Sequence, residues 1–272
     1  LLMGIVKKVL IADRLGLITT RVWLDPGSYD ATALLIILPA FMMRIYCDFS
    51  GYTDMARGMA KLLGYEIPEN FAGPFLSRSI SELWQRWHIT LSTWLRDYIY
   101  IPLGGSRLGE SRTVINLLIT LGLGGIWHGA TWPMLLWGVY IGIFLVIERL
   151  LRHRSLLPAS RPFQVIRIVY VLTVFAFSAI FFNAPDLSTT TSILERIVRF
   201  ERGLPLPEWD TAILLCLIAY SFNFFQYTYR VRAFLNARPA WRLTLLFLLS
   251  PLIALLVFLF GDVGGSFIYF QF

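Results

Sequence analysis

Residues 113–147 contain no Asp, Glu, Lys or Arg, and this run limits the possible folds more than any other feature of the chain. As one helix it would be about 52 Å long at 1.5 Å per residue, far longer than a bilayer core of about 30 Å is thick. A break is therefore required, and Gly129 with Pro133 supplies it. Two spans result, each a little short, and the break leaves His128 at or inside the membrane boundary.

Four more apolar stretches, near residues 31–47, 163–182, 211–229 and 243–260, read as spanning helices, and Pro251 is expected to kink the last of them rather than end it. Only 15% of the chain is charged, against about 25% in soluble domains. That excludes disorder, a disulfide scaffold and an ordinary soluble enzyme. The expected fold is an all-α integral membrane protein with about six spanning helices plus amphipathic interfacial or re-entrant helices, organised as one membrane-embedded domain over 1–272. The chain begins at Leu1 with no signal-peptide n-region, and reads as the C-terminal part of a longer polypeptide.

The net charge of +7 is a topology signal rather than a nucleic-acid one. Arg149, Arg152, Arg154, Arg161 and Arg167 cluster in one loop, and Arg230, Arg232, Arg238 and Arg242 in another. Positive-inside logic puts both in the cytoplasm and the mixed loop 183–210 outside. Cys47 and Cys216 read as small membrane-buried side chains, and no set of residues has metal-ligand spacing.

Residues 48–112 behave differently. They hold seven basic and seven acidic residues among dense aromatics, a composition that neither spans lipid nor favours disorder. Within them Ser79 and Glu82 have capping-box spacing. Ile80, Leu83, Trp84, Trp87, Leu91, Trp94, Leu95 and Tyr98 then recur at helical steps. One amphipathic helix is expected there, with His88 inside its apolar stripe and Pro102, Gly104 and Gly105 ending it.

Of three histidines, His153 sits between Arg152 and Arg154 and reads as a solvated bystander. His128 is the opposite case, in Gly124-Gly125-Ile126-Trp127-His128-Gly129-Ala130. An ionisable group at membrane depth is a functional candidate by default. A neutral imidazole there can take a proton from a hydroxyl, pack as a hydrogen-bonded core residue, or conduct ions or protons, and the residues alone leave all three open. Asp48, Asp54 and Arg57 line a polar cavity or mark the end of a span, and Glu66–Glu69 is a polar turn.

Several blocks resemble the membrane-bound O-acyltransferase family in its bacterial alginate O-acetylation branch. They are Ile45-Tyr46-Cys47-Asp48-Phe49-Ser50-Gly51-Tyr52-Thr53-Asp54, Pro68-Glu69-Asn70-Phe71, Trp84-Gln85-Arg86-Trp87-His88 running on to Tyr100-Ile101-Pro102-Leu103-Gly104-Gly105, Trp127-His128-Gly129-Ala130, and the terminal Phe267-Ile268-Tyr269-Phe270-Gln271-Phe272. The chain departs from the usual pattern at Arg44, Cys47, Leu83 and Thr90, and it lacks the family's N-terminal helices. The resemblance implies a multi-pass enzyme of the bacterial inner membrane. It would move an acetyl group from a cytoplasmic thioester donor such as acetyl-CoA, with no bound cofactor, towards an exported polysaccharide, working with membrane lipid and a periplasmic acyltransferase partner and with no nucleic acid. It makes His128 the catalytic histidine and His88 the second family histidine, with Asp48, Trp87 and Trp127 lining the substrate site. D-alanyl transfer for teichoic acids, a transporter or channel, and a scaffold that recruits a soluble acyltransferase are the rival readings.

Overall fold

The computed structural model describes residues 1–152, 161–227 and 239–261. Among them the architecture is helical, and the only β-pairing is an isolated bridge between Tyr29 and Leu204. The chain opens with α1, a continuous helical segment made of Leu2–Ile5, a π-helical stretch Val6–Ala12 and Asp13–Leu24. Then come α2 (Ala31–Leu62), α3 (Ile80–Arg86), α4 (Ile89–Leu95, running on into a π turn Arg96–Tyr100), α5 (Glu110–His128) and α6 (Trp132–Arg152). The remaining helices are α7 (Arg161–Asn183), α8 (Leu187–Val198), α9 (Trp209–Tyr227) and α10 (Pro239–Phe260).

Among the described residues three helices, α2, α6 and α7, are long and apolar enough to cross a membrane, and shorter apolar segments lie at Trp209–Phe224 and Phe247–Phe260. Each expected span falls on a helix, and the expected break separates α5 from α6. Gly125 and Gly138 explain how these two helices pack. A Cβ on Gly125 would run into the Met134 carbonyl oxygen, and one on Gly138 into that of Leu121, so only glycine lets the two backbones meet this closely.

The span expected to end near residue 47 does not end there. Helix α2 continues for 32 residues, about 48 Å, and carries Asp48 and Asp54 with it. The reason lies in α1. Lys7 Nζ sits 2.8 Å from Asp54, and Lys8 Nζ lies 2.6 Å from Asp48 and 2.8 Å from Asp13. The acids are neutralised across a helix–helix contact, so they need not terminate the span. π-helical winding sets residues five apart over one another, which is how Lys8 reaches Asp13 and Asp48 together. Gly4 and Gly51 allow the crossing: a Cβ on either would approach the other's carbonyl oxygen to 2.5 and 2.8 Å. Asp30 starts α2, its carboxylate accepting the Ala33 N–H at 2.7 Å.

The single amphipathic helix expected from Ser79 to Tyr98 is broken in two. Ser79 does cap it, accepting the Glu82 N–H at 3.0 Å, while the Glu82 carboxylate reaches back to the Arg78 N–H rather than that of Ser79. The helix stops at Trp87, which is extended, and His88 takes a left-handed conformation with φ 42°. The cause is the preceding loop. The Ala72 N–H donates to the Arg86 carbonyl, the Ile89 N–H to the Asn70 carbonyl, and the Thr90 N–H and hydroxyl to Asn70 Oδ1. These bonds satisfy the backbone groups that a break exposes. The expected tryptophan stripe is split accordingly: Trp87 is buried, while Trp94 is half exposed and stacks on Tyr98 at 5.6 Å.

The result is a helical hairpin, α3–α4, standing against α5 and α6. Both feet are anchored at one end of those helices. Glu148 of α6 accepts the Ile80 and Ser81 N–H groups at 2.6 and 3.2 Å, and Asn116 of α5 donates to the carbonyls of Leu103 and Gly105. Arg149 pairs with Glu110 at the same end. The tip, Trp87–His88, reaches the Trp127–His128 end of α5.

Candidate active site

His128 closes α5 and His88 opens α4, so the two helix breaks bring the two histidines to one place. His88 is 7% exposed and His128 9%. The Trp127 ring lies between them, its centroid 6.0 Å from His88 and 4.9 Å from His128, and the two imidazoles are within each other's electrostatic reach. The Trp127 side chain itself is half exposed.

Each imidazole has its own aromatic setting. His128 packs edge-on against Trp137 at 5.2 Å and Phe182 at 5.1 Å, which fixes the ring from α6 and α7. His88 packs against Phe49 at 4.7 Å. Its Nδ1 accepts the Leu91 N–H at 3.3 Å and caps α4, so Nδ1 carries no proton and the ring proton is on Nε2. His88 lies outside the spanning helices, and burial brings its pKa down to about 4. It is neutral at any ordinary pH.

Beside His128 is a small cavity of about 10 Å³, lined mainly by Trp84, Leu91, Leu95, Leu121, His128 and Trp137. It has room for one water-sized group, and its lining is mostly apolar, with His128, Trp84 and Trp137 the residues that carry a nitrogen in the side chain. Gly124 forms part of the wall, and a Cβ there would press on Leu95 at 3.0 Å.

The other expected site residues separate. Trp87 is 5% exposed and sits among Tyr46, Phe71, Phe75 and Phe175 at 4.8–6.2 Å, where it supports the hairpin tip and does not line the cavity. Asp48 is 2% exposed and turns to Lys8, while its neighbour Phe49 is the residue that meets His88. His153, the terminal Phe267–Phe272 run, and Arg154, Arg230, Arg232 and Arg238 lie outside the described residues. Among the described residues no group of His, Cys, Asp and Glu could hold a metal ion.

Sequence reading missed four contributors. Trp137 and Phe182 flank His128 from spans that carry no chemical pattern. Glu148 looked like the lone acid of a basic loop, and its solitary sign was the available clue to the capping role. Asn116 lies three turns from His128 and clamps the loop after α4 rather than facing the imidazole.

The profile of the membrane-bound O-acyltransferase family matches residues 1–187. A probable alginate O-acetylase of Azotobacter vinelandii is 43% identical over 186 residues, covering 68% of this chain and 36% of the relative. A peptidoglycan O-acetyltransferase of Helicobacter pylori is 37% identical over 205 residues, 72% of this chain and 37% of the relative. A teichoic acid D-alanyltransferase of Bacillus subtilis is 30% identical over 148 residues, 50% of this chain and 37% of the relative. The chain thus spans little more than a third of the length of these curated relatives.

Proposed function

Because this chain belongs to the membrane-bound O-acyltransferase family, we propose that it forms the catalytic part of a membrane O-acetyltransferase in which His128 is the general base. The observation that carries the reading is the position of His128: buried at a helix break, held by three aromatic rings and facing an apolar cavity. Its acyl donor is a thioester such as acetyl-CoA, approaching from the side of Glu110, Glu148 and Arg149, which is cytoplasmic by the loop charges. The acceptor is a hydroxyl of an exported polysaccharide, reached with a periplasmic acyltransferase partner. The host membrane is the bacterial inner membrane.

In the reaction, His128 takes the proton of the acceptor hydroxyl as its oxygen attacks the thioester carbonyl. The carbon–sulfur bond then breaks, and the imidazolium returns its proton to the departing thiolate. Positioned general-base catalysis is worth about 10²–10⁴-fold, and placing both reactants against the imidazole adds to it. His88 orders the hairpin tip through its cap on α4.

Acetyl is favoured over D-alanyl because the likeness to O-acetylases is both closer and longer. Those relatives are 37–47% identical, four of them over 68–72% of this chain. The D-alanyltransferases are 30–33% identical over 46–50%. His128→Ala in the full-length protein should abolish acetyl transfer while membrane insertion and melting stay unchanged. Normal acetylation by that variant overturns the assignment.

A further inference from the structure

A base alone leaves the acyl-transfer step incomplete, because attack on the carbonyl puts negative charge on its oxygen and nothing described so far receives that charge. We infer that Trp84 does so, its indole N–H donating to the carbonyl oxygen of the acyl group; this inference rests on the acyltransferase reading above. Three observations converge. Trp84 lines the same cavity as His128, and both rings pack edge-on against Trp137, at 5.8 and 5.2 Å. Two indoles line the cavity besides the imidazole, and the N–H of Trp137 already donates to Ser178 Oγ at 3.3 Å. That of Trp84 is buried and meets no acceptor among the described residues.

A buried donor without a partner is costly and uncommon in folded proteins. Most tryptophans that cannot reach an acceptor sit with the N–H at an aqueous edge. Here it is shut inside an apolar wall next to the reacting base, in a space of about 10 Å³ that suits one oxygen atom and not a whole acyl chain. The backbone of α3 holds the indole from the Glu148 cap at its start to the Asn70–Ala72 clamp at its end, so the donor is fixed before substrate arrives. Such preorganisation is what an oxyanion donor requires.

The step balances as follows. The acceptor oxygen bonds to the acyl carbon, its proton passes to His128, and the carbonyl electron pair moves onto oxygen, where the Trp84 N–H receives it. Collapse of that oxyanion restores the carbonyl, breaks the carbon–sulfur bond and sends the proton from His128 to the thiolate.

The test replaces Trp84 with 3-benzothienylalanine, which keeps the ring shape and exchanges the N–H for sulfur, with Trp84→Phe as a second variant. Each is compared with wild type and His128→Ala in the full-length protein in nanodiscs. Acetyl-CoA and an alginate oligosaccharide are the probes, and thiol release is followed. The expected result is a fall in kcat of about 10²–10³-fold in the benzothienyl variant, with KM for acetyl-CoA and the melting temperature little changed. A kcat within twofold of wild type, or a loss confined to KM, overturns the inference. If wild type shows no turnover, or His128→Ala keeps it, the acyltransferase reading fails instead, so the two failures are separate.

Discussion

Replacing His88 should reveal how much of its presence is architecture. In His88→Ala the Leu91 N–H loses its acceptor, and the loss of an N-cap costs about 1 kcal/mol. Alanine must also hold φ 42° without the polar side chain that makes His, Asn and Asp tolerant of left-handed backbone, a cost of about 1 kcal/mol. The ring contacts with Phe49 at 4.7 Å and Trp127 at 6.0 Å go as well, at about 1 kcal/mol. The sum is about 3 kcal/mol. His88→Asn restores the cap and the tolerance of left-handed backbone, and should recover about two thirds of that loss. Denaturation of the two purified variants in one detergent, with acetyl transfer measured alongside, is the assay. An alanine variant as stable as wild type, or no less stable than the asparagine one, refutes the reasoning. Activity then divides the roles: a stable His88→Asn protein without turnover makes Nε2 chemical, and one with turnover makes His88 a positioning residue.

The same pair has a pH signature. The folded pKa of His88 is about 4, below the ordinary value of about 6.5, so between those limits the unfolded chain binds more protons. Stability therefore rises with pH across this window and falls on acidification. Between pH 6.5 and 4 wild type should lose about 3 kcal/mol relative to His88→Asn, which turns its advantage of about 1 kcal/mol into a deficit of about 2 kcal/mol. A constant difference would mean that the imidazole is not buried in its neutral form.

Two further outcomes test the scaffold. Lys7 is fully buried against Asp54, so Lys7→Ala leaves an uncompensated carboxylate and should cost about 3 kcal/mol, whereas Lys7→Met with Asp54→Leu should regain most of it; equal melting of the single and double variants refutes the pairing. Gly138→Ala and Gly125→Ala drive a methyl into opposing backbone and should each cost about 2 kcal/mol; melting of the purified variants checks this, and an unchanged melting temperature means that the helices are not in this contact.

What could be read from the sequence follows the range of the interactions involved. The α5–α6 break was legible because a charge-free run longer than a bilayer has few solutions, and Ser79 acts as a cap through a bond three residues away. The failures were long-range. Asp48 and Asp54 look like the end of a span until Lys7 and Lys8, forty or more residues earlier, are set against them. The period from Ile80 to Tyr98 is helical throughout, and only the Asn70–Ala72 loop interrupts it. His88 consequently changed from one position on a stripe to the cap of a new helix, which no periodicity could reveal.

The break in α3–α4 also accounts for a segment with a third of the chain's charges lying beside the long charge-free run 113–147. A hairpin that enters between spanning helices must satisfy its backbone where water is scarce, and each polar contact found there answers that need. Glu148 takes the first N–H groups of α3, Asn70 the first of α4, and Asn116 holds the loop behind it. With those bonds made, the hairpin can set the Trp84 indole against an apolar cavity and the His88 imidazole against Trp127, and hold both there without support from solvent. If the hairpin is a clamped support of this kind, cutting one foot should disturb chemistry at the tip. Glu148→Ala removes two hydrogen bonds at the end of α6 remote from His128, and should lower kcat more than it raises KM, because it loosens Trp84 against the oxyanion rather than unmaking a binding contact. Glu148→Gln keeps an acceptor oxygen for one of the two N–H groups and should recover part of the rate. A rate unaffected by either change would mean that the tip is held by its aromatic packing alone.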